Sequence, residues 1–158
     1  MKDSLAPGLT FEFKFKVADS KTVPHLYPES ALFQDMPAVL ATGYLVGLME
    51  WACVEALRPY LDWPREQSLG TAVNFTHIAA TPPGLTITVK VHLDRIEGRK
   101  LSFTLSAHDG VDTISEGTHE RHVIDVERFT ARLAPKIAAA AAVRHGGARE
   151  PADPRLTS

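Results

Sequence analysis

One carboxylate interrupts the most apolar stretch of this 158-residue chain. Residues 44–54 read YLVGLMEWACV, and Glu50 is the only charged side chain among them. Val46 and Val54 lie one helical turn to either side. Burying a carboxylate without a partner costs several kcal/mol as an order of magnitude. Glu50 must therefore reach a cleft or find a hydrogen-bonding partner. A structural carboxylate held by a loop amide or by a second subunit satisfies that demand. So does a base or nucleophile whose reactivity is tuned by its surroundings.

His77 is the second such residue, on one strand face with Val73, Phe75 and Ala79. A histidine there is either a satisfied core residue or a proton carrier whose basicity a nearby carboxylate would raise. Thr42, just before Gly43, can bond back to a helix carbonyl or hold a substrate carbonyl or a water. Thr42 and Glu50 are eight residues apart, ~12 Å along a continuous helix, so they do not touch. A site using both needs a residue or substrate between them, or two subunits. Gly70 is a strand-start kink or a backbone N–H free to donate to a developing oxyanion. In the run His119-Glu120-Arg121-His122, alternation puts His119 and Arg121 on one face. A solvated face is the plain expectation, and an arginine at a cleft rim could instead meet a phosphate.

Other chemistries lack their residues. The single cysteine, Cys53, cannot form an internal disulfide, and no Cys/His spacing suggests zinc. There is no glycine-rich phosphate loop and no GxSxG elbow. No metal and no cofactor are expected.

The elements that must position these residues follow from periodicity. Residues 9–17 alternate, with Phe11, Phe13, Phe15 and Val17 on one side, as in a half-buried strand. Residues 18–30 are irregular, broken by Pro24 and Pro28. Residues 37–61 are expected to form the main helix, with Asp35 as N-cap, Pro37 in its first turn and Pro59 near its end. Its middle is apolar all round, so it should be buried all round. Four strands follow, over residues 68–80, 85–96, 100–108 and 111–126. Glu97-Gly98 and Asp109-Gly110 mark hairpin turns, and Gly117 marks a bulge. Residues 127–143 turn helical and alanine-rich, and 144–158 are expected to be a disordered tail. Hairpin links make the sheet antiparallel. The fold class is α+β: an antiparallel sheet wrapped around a long central helix, the hotdog layout, over residues 1–143. Open sheet edges in such a fold lead to an expected homodimer.

Composition sets the outer bounds. Hydrophobic residues make up 44% and charged residues 23%, with a net charge of −2. That is an ordinary globular balance, and it offers no basic footprint for nucleic acid. No apolar run approaches the ~20 residues of a membrane helix, and no signal peptide is evident. The expected compartment is the cytoplasm, with no membrane partner.

Several runs together resemble the fluoroacetyl-CoA thioesterase family of hotdog proteins. They are KTV at 21–23, HLYPES at 25–30, VGLMEWACV at 46–54, SLGTA at 68–72, AATPPGLT at 79–86, SAHDGVD at 106–112 and GTHER at 117–121. The resemblance covers about residues 1–135. It implies hydrolysis of a short acyl-CoA such as acetyl- or fluoroacetyl-CoA, with CoA as part of the substrate. The family's catalytic threonine, glutamate and histidine correspond to Thr42, Glu50 and His77, and its carbonyl-binding glycine to Gly70. Val23, Leu26, Phe33 and Met36 match positions lining or lidding the acyl pocket, with Arg121 a further substrate contact. Met36 stands where the fluorine-selective member carries phenylalanine. A flexible thioether replaces a fixed ring, so the resemblance implies hydrolysis and leaves fluorine discrimination at Met36 open. Two other readings fit the same cleft residues: a hotdog hydratase or dehydratase, and a non-catalytic acyl-CoA-binding module.

Overall fold

The computed structural model describes residues 1–146. Two compact units divide the chain, one from Met1 to Ile124 and one from Asp125 onward.

In the first unit, strand β1 (Thr10–Lys16) leads into two single 3₁₀ turns and a one-turn helix, α1 (Ala31–Gln34). Helix α2 (Thr42–Leu57) follows, then strands β2 (Glu66–Phe75), β3 (Thr86–Glu97), β4 (Lys100–His108) and β5 (Thr113–Asp125). The strands form one sheet in the order β1-β3-β4-β5-β2. β1–β3, β3–β4 and β4–β5 pair antiparallel. The β5–β2 seam runs antiparallel too: Thr76 N–H donates to Glu116 C=O, and Ile78 N–H to Ile114 C=O.

The alternation read from the sequence is the alternation that folds. Ile87, Val89, Val91 and Leu93 of β3 and Leu101, Phe103, Leu105 and Ala107 of β4 face inward and are fully or nearly fully buried. They pack on Leu45, Leu48, Met49, Ala52, Cys53, Ala56 and Leu57 of α2. Phe13 and Phe15 of β1 meet Trp51, at ring-centroid separations of 4.8 and 6.1 Å.

Four expectations change. α2 starts at Thr42, not Pro37, and Ala41 takes the N-cap position without a side-chain bond. Asp35 instead closes α1, whose N-cap is Ser30. Residues 18–41 form a loop that returns on itself, because Thr22 bridges Leu40 and Ala41 N–H donates to Lys21 C=O. Second, α2 is not buried all round. Trp51 is 46% exposed and Gly47 is exposed, since a single curved sheet covers only one side of a helix. Third, Asp109-Gly110 is not a two-residue hairpin turn. His108 pairs with Thr113 across a four-residue loop. The Asp109 side chain is turned inward, accepting from Thr81 Oγ1 and from the Val111 and Asp112 amides. Fourth, Gly117 stays in register opposite Leu105. Its role is close approach, since a β-carbon there would collide with the Asn74 carbonyl of β2.

The second unit is helix α3 (Val126–Gly146), with Pro135 inside it. Asp125 accepts from the Arg128 amide at 3.1 Å, which satisfies one of the first-turn donors. The helix runs three residues beyond the expected Val143, and the rest of the expected tail, 147–158, lies outside the described residues.

Candidate active site

Helix α2 carries both halves of the site. At its first residue, Thr42 Oγ1 lies 2.8 Å from Nδ1 of His77. His77 follows the end of β2 rather than lying within it. Burial lowers its pKa, partly offset by the Ala79 backbone. The neutral ring can therefore accept a proton at neutral pH. Its Nε2 is buried without a protein partner. Leu26 packs on the same turn, within about van der Waals distance of where a Gly43 β-carbon would stand. Val23 and Phe33 are half-buried nearby in the sequence, and Met36 is 48% exposed.

Two turns along α2, Glu50 is not sealed in the core: its side chain is 38% exposed. It reaches an open side of the helix and also has a partner. Arg121 Nη1 donates to Glu50 Oε1 at 3.4 Å. The same oxygen lies 3.6 Å from His119 Nε2 and occupies the space a Gly70 β-carbon would need. A side chain at position 70 would have to push the Glu50 carboxylate from this seat.

Arg121 is turned inward rather than standing exposed at a rim. The residue is 4% exposed, and every bond it makes is internal. Nε donates to Ser68 Oγ at 2.9 Å, Nη2 to Ser68 C=O at 2.7 Å, and Nη1 to His119 Nε2 at 2.9 Å. His119 is likewise buried, at 1% exposure. The expected solvated face is therefore the inner face. The signal was present in the sequence: Val123 has the same parity as His119 and Arg121, and it is buried. Glu120, of opposite parity, pairs with Lys100 at 2.7 Å on the outer side.

Nearby Cys53 is inert as a nucleophile. Burial pushes its thiol up to about 12, against the opposing pull of Arg121. A concavity of about 720 Å³ lies on the outer face of the sheet, lined by residues such as Thr10, Lys90, Thr104 and Glu116. None of Thr42, Glu50, Gly70, His77, His119 and Arg121 lines it.

The structure therefore brings Thr42 to His77, and Glu50 to Gly70 and Arg121. It leaves the two groups at different turns of one helix. A hydroxyl on a neutral imidazole and an oriented carboxylate over a glycine strand suit acyl transfer to water. A family model described as the fluoroacetyl-CoA-specific thioesterase FlK matches residues 17–127. The chain belongs to this family. It is 58% identical over 139 residues to the fluoroacetyl-CoA thioesterase of Streptantibioticus cattleyicolor, covering 88% of this chain and 99% of that protein. A variant of the FlK thioesterase crystallised with fluoroacetate and CoA matches with a TM-score of 0.76 at 59% identity, over 79% of this chain and 99% of the other. A thioesterase superfamily member from Thermus thermophilus matches with a TM-score of 0.74 at 26% identity, over 87% and 98% of the two chains.

FlK-family membership fixes the fold as hotdog and the activity class as thioester hydrolysis. This FlK-family chain is an acyl-CoA thioesterase. The hydratase and binding-module readings fall away.

Proposed function

We propose that this thioesterase hydrolyses a short acyl-CoA, fluoroacetyl-CoA or a similarly small thioester, to the free acid and CoA. The observation that carries the reading is the Glu50 carboxylate held by Arg121 over Gly70, on the helix that begins with the Thr42–His77 pair. The Gly70 amide of one subunit and Thr42 of the partner subunit polarise the thioester carbonyl, because within one chain Thr42 and Glu50 stand ~12 Å apart along the helix. Glu50 draws a proton from the water that attacks the carbonyl, or attacks the carbonyl directly to form an acyl–Glu50 anhydride that water then hydrolyses to the free acid. Arg121 donates to Oε1, which leaves Oε2 as the oxygen assigned to the chemistry. The C–S bond breaks, and His77 relays a proton to the departing thiolate. Where the α-carbon bears fluorine it is more acidic, and His77 can instead remove an α-proton, the electron pair left behind expelling the CoA thiolate to give a ketene that water converts to the free acid. Val23, Leu26, Phe33 and Met36 line the acyl side of the site, with Met36 leaving fluorine unselected.

The working unit in this reading is a homodimer. Strand β2 ends the sheet, and an uncovered edge offers unpaired N–H and C=O groups to another strand. Leu69 and Val73 along it are 38% and 45% exposed, and Ile78, just beyond its end, is 68% exposed. Its compartment is the cytoplasm, a reading compatible with the absence, among the described residues, of a helix long and apolar enough to cross a membrane.

The test is thiol release from a panel of acyl-CoA esters that includes acetyl-, fluoroacetyl- and longer-chain CoA. Fastest release from the two-carbon esters is expected, with little preference between them. A preference for long chains would overturn the substrate reading.

A further inference from the structure

We propose that His119 is a positioning residue, a neutral imidazole locked in one tautomer that sets the rotation of Arg121 and thereby the seat of Glu50. The proposal rests on the reading of Glu50 as the group that acts on the thioester.

Donor and acceptor chemistry determines the tautomer. His119 Nδ1 lies 2.7 Å from the Ala72 carbonyl oxygen, which can only accept. Nδ1 therefore carries the proton. Nε2 lies 2.9 Å from Arg121 Nη1, and a guanidinium can only donate. Nε2 is therefore bare. A ring protonated on both nitrogens would aim an N–H at the guanidinium N–H groups. Burial, foremost, lowers the His119 pKa, and the Arg121 charge adds to it, against opposing contributions from the Ala72 carbonyl and Glu50. Both keep the ring neutral. The other ionisable groups acting on this pair are Glu50 and, on Arg121, Cys53.

The guanidinium then has one orientation that matches its donors. Nε and Nη2 are taken by the hydroxyl and carbonyl of Ser68. Of the two hydrogens on Nη1, one goes to His119 Nε2 and the other points to Glu50 Oε1. His119 Nε2 and Glu50 Oε1, 3.6 Å apart, are both acceptors and do not bond each other. They flank one donor. Without the imidazole lone pair, Nη1 loses the contact that aims its second hydrogen at Glu50.

Two measurements test this. Nitrogen-15 NMR of the histidine rings in the wild-type protein at about pH 7 should find His119 protonated at Nδ1 and bare at Nε2. The opposite tautomer, or an imidazolium, overturns the proposal. This readout is independent of activity, so it stands apart from any failure of the Glu50 assignment. The second measurement compares H119Q with H119N. The glutamine amide oxygen reaches the Nε2 position and can accept from Arg121. The asparagine amide reaches only the Nδ1 position, keeping Ala72 and giving Arg121 nothing. H119N should lower kcat on the order of 10²-fold with KM little changed, as expected for a misplaced reacting group. H119Q should recover most of that loss. Full activity in H119N, an effect confined to KM, or an H119Q no better than H119N overturns the role. Should H119N fail to fold, the NMR arm alone decides.

Discussion

The carboxylate of Glu50 occupies the place where a β-carbon on residue 70 would stand. The two residues come from different elements, the middle of α2 and the first half of β2. A backbone without a side chain is what lets a helix-borne carboxylate sit directly on the strand. His119 Cε1 lies 3.0 Å from the same point, so the carboxylate cannot simply slide towards that ring.

Gly70→Ala should therefore displace Glu50 and lower kcat on the order of 10²-fold, since small misplacements of a reacting group cost that much. The backbone conformation at residue 70 is not of the left-handed kind, so the strand itself tolerates alanine. A double-mutant cycle with Glu50→Asp separates the causes. The two losses should be strongly non-additive if the collision is the cause, because the shorter acid already withdraws from the strand. Simple additivity would count against it.

Replacing Glu50 with Gln should abolish thiol release and leave the fold intact. The amide keeps the size of the carboxylate but cannot act as base or nucleophile. Normal turnover in E50Q, with matched circular dichroism, would remove Glu50 from the mechanism.

The acid limb of the rate profile should lie below the ordinary histidine value of about 6.5. His77 must be neutral to accept a proton, and burial holds its folded pKa down. Activity is then full above that value and is lost as pH falls through the folded pKa. Stability moves the same way. His77 and His119 both have folded pKa values below the unfolded one, so below about 6.5 the unfolded chain binds more protons and stability falls with pH. An acid limb at or above 6.5 in kcat/KM would refute the His77 part.

Asp109 should matter for stability. Burial alone would raise its pKa, but the amides of Asp112 and Val111 and the Thr81 hydroxyl outweigh burial and hold it low. That contribution is present above the usual aspartate value and lost as pH falls through the folded one. Asp109→Ala leaves the buried Thr81 hydroxyl and two amides without their acceptor, at about 1–3 kcal/mol for each group that water cannot reach. Thr81 C=O also accepts the Leu40 amide, two residues before Thr42. Thermal unfolding should show a Tm several degrees lower, with a smaller fall in kcat than that of E50Q. An unchanged Tm would show the buried bonds to be worthless.

A lysine at Val73 should hold the chain as a monomer. The side chain is on the exposed edge strand, where a charge opposes strand-to-strand pairing. Light scattering should give the mass of two chains for the wild type and of one for V73K. A monomeric wild type would overturn the dimer.

Sequence alone determined the local geometry of most elements and singled out the candidate site residues. Strict alternation in β3 and β4 is a property of neighbours two apart, so the inward faces were legible before folding. A charge inside an apolar helix is equally local, which is why Glu50 stood out. The family resemblance then supplied Thr42, His77 and Gly70, which single-residue reasoning left open. Tertiary structure alone decided the rest. Arg121 reads as a solvated or phosphate-facing arginine until β5 is laid beside β2, where Ser68, Ala72 and Gly70 converge on its inner face. Asp109 reads as a turn residue until Thr81, 28 positions earlier, turns its hydroxyl to it. The open side of α2 depends on how far one sheet can curl. Each of these rests on contacts between residues far apart in the chain, whose geometry no local pattern encodes.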